Sequence, residues 1–138
     1  MFKVVAISDK TGTAVDRLCK VVAPYHQNID YVVIDCHPKR PDATQLARIE
    51  QECRTADVID YQYFRTAEML RNRYEWLKDI PSVLTHNNPY SIKESDWSGY
   101  QAVIGNNKSI TADLEKITSS RVEHIPIVVD PFFWQFNE

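Results

Sequence analysis

Apolar positions along this chain switch between two periods. Short β-branched runs at residues 3–7, 30–35, 56–60, 81–85, 100–104 and 122–129 predict strands. Between them, apolar residues recur every three or four positions, the spacing of a helix with one buried face. Thr13 and Asp16 have the spacing of a capping box, and Val15, Leu18, Cys19 and Val22 form the stripe of a first helix that Pro24 ends. Asp42 caps a second helix with Leu46, Ile49 and Cys53 on its inner face. Residues 64–77 predict the longest helix, with Ala67, Leu70, Tyr74 and Leu77 as its stripe. Asn107 caps a fourth carrying Ile110, Leu114 and Ile117. The last strand, 122–129, is expected to bend at Pro126.

Strand and helix thus alternate throughout. The middle of residues 30–35 is continuously apolar, as suits a strand buried on both faces of a parallel sheet. The expected fold is α/β: a three-layer Rossmann-like domain with a mostly parallel sheet of about six strands and helices on both faces. Crossovers should be right-handed. With 138 residues, one domain can build a full core.

Composition narrows the function. Hydrophobic residues make up 43% and charged residues 25%, ordinary for a globular protein. A formal net charge of -3 offers no overall attraction for nucleic acid. No run is long enough to span a bilayer. Cys19, Cys36 and Cys53 lack metal-ligand spacing, and so do His26, His37, His86 and His124, so no metal site is expected. A reducing, cytoplasmic compartment follows from this cysteine usage.

In open parallel sheets, ligands bind beyond the carboxyl ends of the strands. That selects residues 8–13, 36–41, 61–63, 86–90 and 105–108. The first loop holds one glycine, Gly12, and opens a helix. It reads as an anion site or as an ordinary capped turn. Residues 85–90 (Thr85-His86-Asn87-Asn88-Pro89-Tyr90) gather an imidazole, two amides and a phenol, groups that donate and accept together and so suit sugar hydroxyls. The plainer reading is a turn at Asn88-Pro89 with a structural histidine. His37, Lys39 and Arg40 are cationic or titratable groups that can meet a phosphate, although a solvated loop is the commoner outcome. Arg65, Arg71, Arg73 and Lys78 can face an anionic membrane, but Glu68, Glu75 and Asp79 among them favour a solvated helix face. The tail contains Phe132, Phe133, Trp134 and Phe136, and either folds back on the core or packs under a second domain or partner chain.

Three stretches carry a family resemblance. They are Ile80-Pro81-Ser82-Val83-Leu84-Thr85-His86, then Ala102-Val103-Ile104-Gly105-Asn106-Asn107-Lys108-Ser109 on to Leu114, then Val122-Glu123-His124-Ile125-Pro126-Ile127-Val128-Val129-Asp130. Together they resemble the amino-terminal half of GT-B-type glycosyltransferases of the retaining group-one family. The resemblance implies two Rossmann-like domains facing across a cleft. The first binds the acceptor and the second binds most of a nucleotide-sugar donor. On this basis residues 1–130 are the acceptor-side domain, and 131–138 begin the linker to a donor-binding domain absent from this sequence. No cofactor is expected on this domain alone. The resemblance implies that His86 faces the transferred sugar as the catalytic residue. Asn87, Asn88 and Tyr90 line the acceptor mouth, and Thr11, Gly12 and Asn107 complete the substrate-binding set. The chain departs from the family in its glycine-poor first loop and in Ile127-Val128, which replace an Asn-Gly pair. The implied function is transfer of a sugar to the hydroxyl of an acceptor carbohydrate or glycolipid, with peripheral membrane contact possible. One rival is a non-catalytic flavodoxin-like module that binds a sugar or partner, and a second is a small stand-alone hydrolase or phosphotransferase using Asp9 or Asp35. Replacing His86 by Ala is expected to cut turnover and leave folding intact.

Overall fold

In the computed structural model, residues 1–9, 19–20, 23–86 and 96–126 are described. Six strands hydrogen-bond in one sheet: β1 (Phe2–Ser8), β2 (Ile29–Asp35), β3 (Val58–Tyr61), β4 (Ser82–His86), β5 (Ala102–Gly105) and β6 (Val122–His124). Their order is β2-β1-β3-β4-β5-β6, and every pairing is parallel. Three helices lie among the described residues: α1 (Ala43–Cys53), α2 (Phe64–Arg73) and α3 (Lys108–Ile117).

The register sorts the sheet into two faces, because side chains alternate along a strand. Val5, Ile7, Ile34, Ile59, Tyr61, Leu84 and Val103 share one face. They form one buried cluster with Leu46, Ile49 and Cys53 of α1, Ala67 and Leu70 of α2, and Ile110 and Leu114 of α3. This follows from the strand order. Every step from β2 onward moves the same way across the sheet, so right-handed crossovers put all the intervening helices on one side. Only the step from β1 to β2 moves back. Consistent with that, Cys19, in helical backbone, lies beside Tyr31 on the opposite face. There Val58, Val83, Thr85, Ala102 and Ile104 are only partly buried. The three described α-helices thus cover one face, and Cys19 and Lys20 are helical backbone beside the other.

Local chemistry accounts for the helix starts. Asp42 Oδ1 accepts from Thr44 N at 2.8 Å and from Gln45 N at 3.3 Å, capping α1. Asn107 Oδ1 accepts from Ile110 N at 2.8 Å, capping α3. Lys3 ties the start of β1 to the end of α1, its Nζ donating to Glu52 Oε2 at 2.6 Å and to Thr55 Oγ1 at 2.7 Å.

Three sequence expectations change. The long helix ends at Arg73, and Tyr74 is extended (φ -123°, ψ 91°) before a 3-10 turn, Glu75–Asp79. That break still buries Leu77 and sets Trp76 under the Arg54 guanidinium, 4.4 Å from the ring centre. Ile117 does not join the stripe of α3 and is 44% exposed, since the helix ends there over the short edge strand. The last strand stops at His124, because Pro126 has no N–H to extend a ladder. Residues 127–129 of that expected strand, and the aromatic tail, lie outside the described residues, as does most of the first expected helix.

Candidate functional site

The strand order reverses between β1 and β3, because the chain goes from β1 out to β2 and then returns past it. Neighbouring loops diverge at such a point and leave a crevice beyond the carboxyl ends of the strands. A cavity of about 530 Å³ lies there, lined by Asp9, His37, Pro38, Lys39, Arg40, Tyr63 and Arg65. Asp9 follows β1, residues 37–40 follow β2, and Tyr63 and Arg65 follow β3.

Backbone bonds hold the three strand tips together beneath it. Cys36 N donates to Asp9 O at 2.7 Å and to Ser8 O at 3.2 Å, and Gln62 N donates to Ile7 O at 2.9 Å. Thr66 Oγ1, buried in the first turn of α2, donates to Cys36 O at 3.0 Å. The loop after β2 is shaped by its own histidine. His37 Nδ1 accepts from Lys39 N and from Arg40 N, both at 3.1 Å. An imidazole that accepts at Nδ1 is neutral with its proton on Nε2, so His37 offers one N–H donor. This fold-back sends Lys39 and Arg40 out as exposed side chains. Arg65 lies 5.0 Å over the Phe64 ring, which packs edge-on to Tyr63.

The mouth is therefore rimmed by three cations, one carboxylate, a neutral imidazole and a phenol. It lacks a thiolate, since burial, helped by the Asp35 charge, pushes the Cys36 thiol up to about 11. Positive charge thus predominates among the described residues of this rim. A second cavity, about 280 Å³ and lined by Glu68, Arg71, Asn72, Lys78, Asp96, Ser98, Gly99 and Tyr100, opens instead beside residues that lead into β4 and β5. Among the described residues, no cluster of three His, Cys, Asp or Glu side chains could hold a metal ion. No described helix is long and apolar enough to cross a membrane.

His86 ends β4 as expected, beside Gly105 of β5. Its ring does not line an open mouth. It is 2% exposed, edge-on to Trp97 at 4.7 Å and tilted to Phe64 at 6.3 Å. The even positions of β4 point into the main core, and position 86 falls among them. Replacing His86 by Ala therefore empties core space, which corrects the expectation that folding stays intact. Asn107, placed in the substrate-binding set, is an exposed helix cap whose Oδ1 is already engaged by Ile110 N. Thr11, Gly12, Asn87, Asn88 and Tyr90 lie outside the described residues.

Asp60 has no place in the sequence-derived site, yet among the described residues its carboxyl is strongly perturbed. Gln62 Nε2 donates to its Oδ2 at 2.8 Å, and also lies 3.4 Å from Thr85 Oγ1. Its Oδ1 is sealed from solvent with no hydrogen-bond donor, although the residue as a whole is only partly buried. Burial pushes this carboxyl up to about 6, and hydrogen bonds from Gln62 and Thr85 oppose the rise. Burial, and next the nearby Asp60 charge, also raise the Tyr31 phenol. A strand-end Asp with Gln two residues on was the only sequence hint of this group. Tyr63 lies in the 61–63 loop that strand ends selected, whereas Arg65 was read with a solvated helix face, because helix spacing alone does not say which turn faces a strand mouth.

No protein-family model matches this chain, and no curated protein matches it either. The structure is similar to the crystal structure of Smu.1420 from Streptococcus mutans UA159, with a TM-score of 0.43 and 12% sequence identity, over 99% of this chain and 94% of that one. A likeness at this level assigns no function.

Proposed function

We propose that this chain is the acceptor-side domain of a glycosyltransferase that moves a sugar from a nucleotide-sugar donor to an acceptor hydroxyl. The observation that carries the reading is the cavity at the β1/β3 reversal, built from the tips of three parallel strands. It supports a ligand-binding wall in the place where a GT-B acceptor domain faces its partner domain. The resemblance over residues 80–130 supplies the reaction class. Donor binding then belongs mainly to a second domain, and the acceptor is a carbohydrate or glycolipid, reached with or without peripheral membrane contact. His86, packed against Trp97 and Phe64, is in this reading a positioning residue for the strand end from which Asn87, Asn88 and Tyr90 extend. Three free cysteines support a cytoplasmic setting.

The test joins this chain to a donor-binding domain of the same family and assays sugar transfer from labelled nucleotide sugars. Transfer by the joined protein and none by the chain alone is the expected pattern. Turnover by the isolated chain, or tight nucleotide-sugar binding to it, would refute the division of labour. The strand order favours one rival. An order of β2-β1-β3-β4-β5 is also that of flavodoxin-like binding modules. In that case the chain binds its ligand at the same mouth, and no partner domain brings out transfer.

A further inference from the structure

The rim of the cavity specifies more than a generic mouth, and we infer that the ligand it receives carries a phosphate, presented by the acceptor. This rests on the reading that the mouth at the β1/β3 reversal is the acceptor site. Lys39 and Arg40 arrive from the loop after β2 and Arg65 from the start of α2, while Asp9 is the single acid among the described rim residues. Among the described residues neither Lys39 nor Arg40 has an acidic partner within 4.0 Å. Lys39, Arg40 and Arg65 outnumber Asp9 among the described rim residues, and an incoming anion lowers the repulsion within that excess. With His37 neutral, the described rim residues set three positive charges against one negative, an excess that suits a phosphate monoester dianion better than a single carboxylate. The donors match as well. Two guanidinium forks, an ammonium and the His37 Nε2–H suit a group with three acceptor oxygens. A neutral polyol needs paired donors and acceptors, and this rim offers mostly donors.

The backbone geometry makes the arrangement a built one. His37 holds the turn that points Lys39 and Arg40 outward, and Thr66 and Cys36 lock that loop to α2, the helix bearing Arg65. The backbone that carries the cations is therefore held in place before any ligand arrives, while their exposed side chains stay free to adjust to it.

The experiment is a backbone amide NMR titration of the full chain with inorganic phosphate, glucose 6-phosphate, glucose and a nucleoside diphosphate. Saturable shifts at Lys39, Arg40 and Arg65 are expected with phosphate and glucose 6-phosphate, and none with glucose. The double variant Lys39→Gln, Arg40→Gln should weaken glucose 6-phosphate at least tenfold. Arg40→Lys should weaken it less, because charge survives without the fork. Both side chains are exposed, so the variants should leave the rest of the spectrum in place. Equal response to glucose and glucose 6-phosphate, or unchanged affinity in the double variant, overturns the inference. Shifts at these amides with the nucleoside diphosphate alone would assign the phosphate to the donor and overturn the acceptor assignment. Sugar transfer is measured separately in the joined protein. Phosphate binding without transfer therefore discards the glycosyltransferase reading and leaves the phosphate site standing.

Discussion

Asp60 shows how one buried oxygen sets a pH dependence. Its carboxyl ionises near 6 in the fold, against an ordinary value of 3.8. The native chain therefore holds this proton more tightly than the unfolded chain does. Stability from this group is intact below about pH 4, falls as the pH rises through about 6, and stays lower above that. Ionising it inside the fold costs about 3 kcal/mol. Asp60→Asn should raise the unfolding free energy by up to about that amount at pH 8 and change little at pH 4. Urea unfolding at the two pH values measures this, and an equal effect at both would show that ionisation is not the cause. His86 gives a second test at the same scale. Its ring fills space between Trp97 and Phe64, so His86→Ala should cost on the order of 2–4 kcal/mol. A changed Trp emission should accompany that loss. A wild-type urea midpoint in this variant would return the ring to an exposed, site-facing role. From sequence, position 86 looked like a site because polar residues surround it along the chain. Its burial depends on Trp97 and Phe64, and periodicity in the local sequence carries no trace of either contact.

Among the elements, the junction of β5 and α3 leaves no room for a side chain at Gly105. Gly105 ends the strand, and a Cβ there would meet Thr111 Cα and N at 2.9 Å and crowd Thr111 Oγ1 as well. Backbone atoms cannot swing aside, so Gly105→Ala should cost on the order of 3 kcal/mol. Thermal unfolding reads the loss directly. The cap two residues later is milder. Asn107→Ala should cost about 1 kcal/mol, and Asn107→Asp should keep the stability because its carboxylate accepts the same Ile110 N–H. If Asn107→Asp lost as much as Asn107→Ala, the side chain would owe its place to something other than capping. Capping was also what sequence reading recovered best. Asp42 and Asn107 cap the helices they were assigned, and Leu46, Ile49, Cys53, Ile110 and Leu114 are buried as their spacing implies. These signals are local, confined to one turn of chain. The break at Tyr74 was not legible, because what it achieves, Trp76 under Arg54, involves a partner twenty-two residues away. The exposure of Ile117 likewise depends on how little β6 offers it.

At the scale of the whole molecule, strand order decides where strength and opening lie. β1 sits between β2 and β3 and pairs along its full length with β2, from Phe2↔Ile29 to Ser8↔Asp35. Val5, Ala6 and Ile7 are completely buried in its middle. β6 is the opposite case: three residues at the sheet edge, none of them fully buried, paired on one side only. Alternation of strand and helix was enough to read a parallel sheet, but not to order its strands. That order follows from which way each crossover steps, and a helix pattern is the same for either direction. The order in turn places the cavity, since the reversal beside β1 is where the loops part. The most protected part of the molecule therefore lies directly beneath its opening. Native-state hydrogen exchange should show this as a gradient. Amides in the middle of β1 and in β3 should exchange only through global unfolding, while those of β6 exchange through smaller openings at lower free energy. The amides flanking the mouth, at residues 37–40, should exchange fast while Ile7 on the adjacent strand β1 stays protected, so that the rim can adjust to a ligand without loosening the sheet. Protection of β6 equal to that of β1 would mean that the sheet opens as one unit, and that the rim draws no rigidity from the strands that carry it.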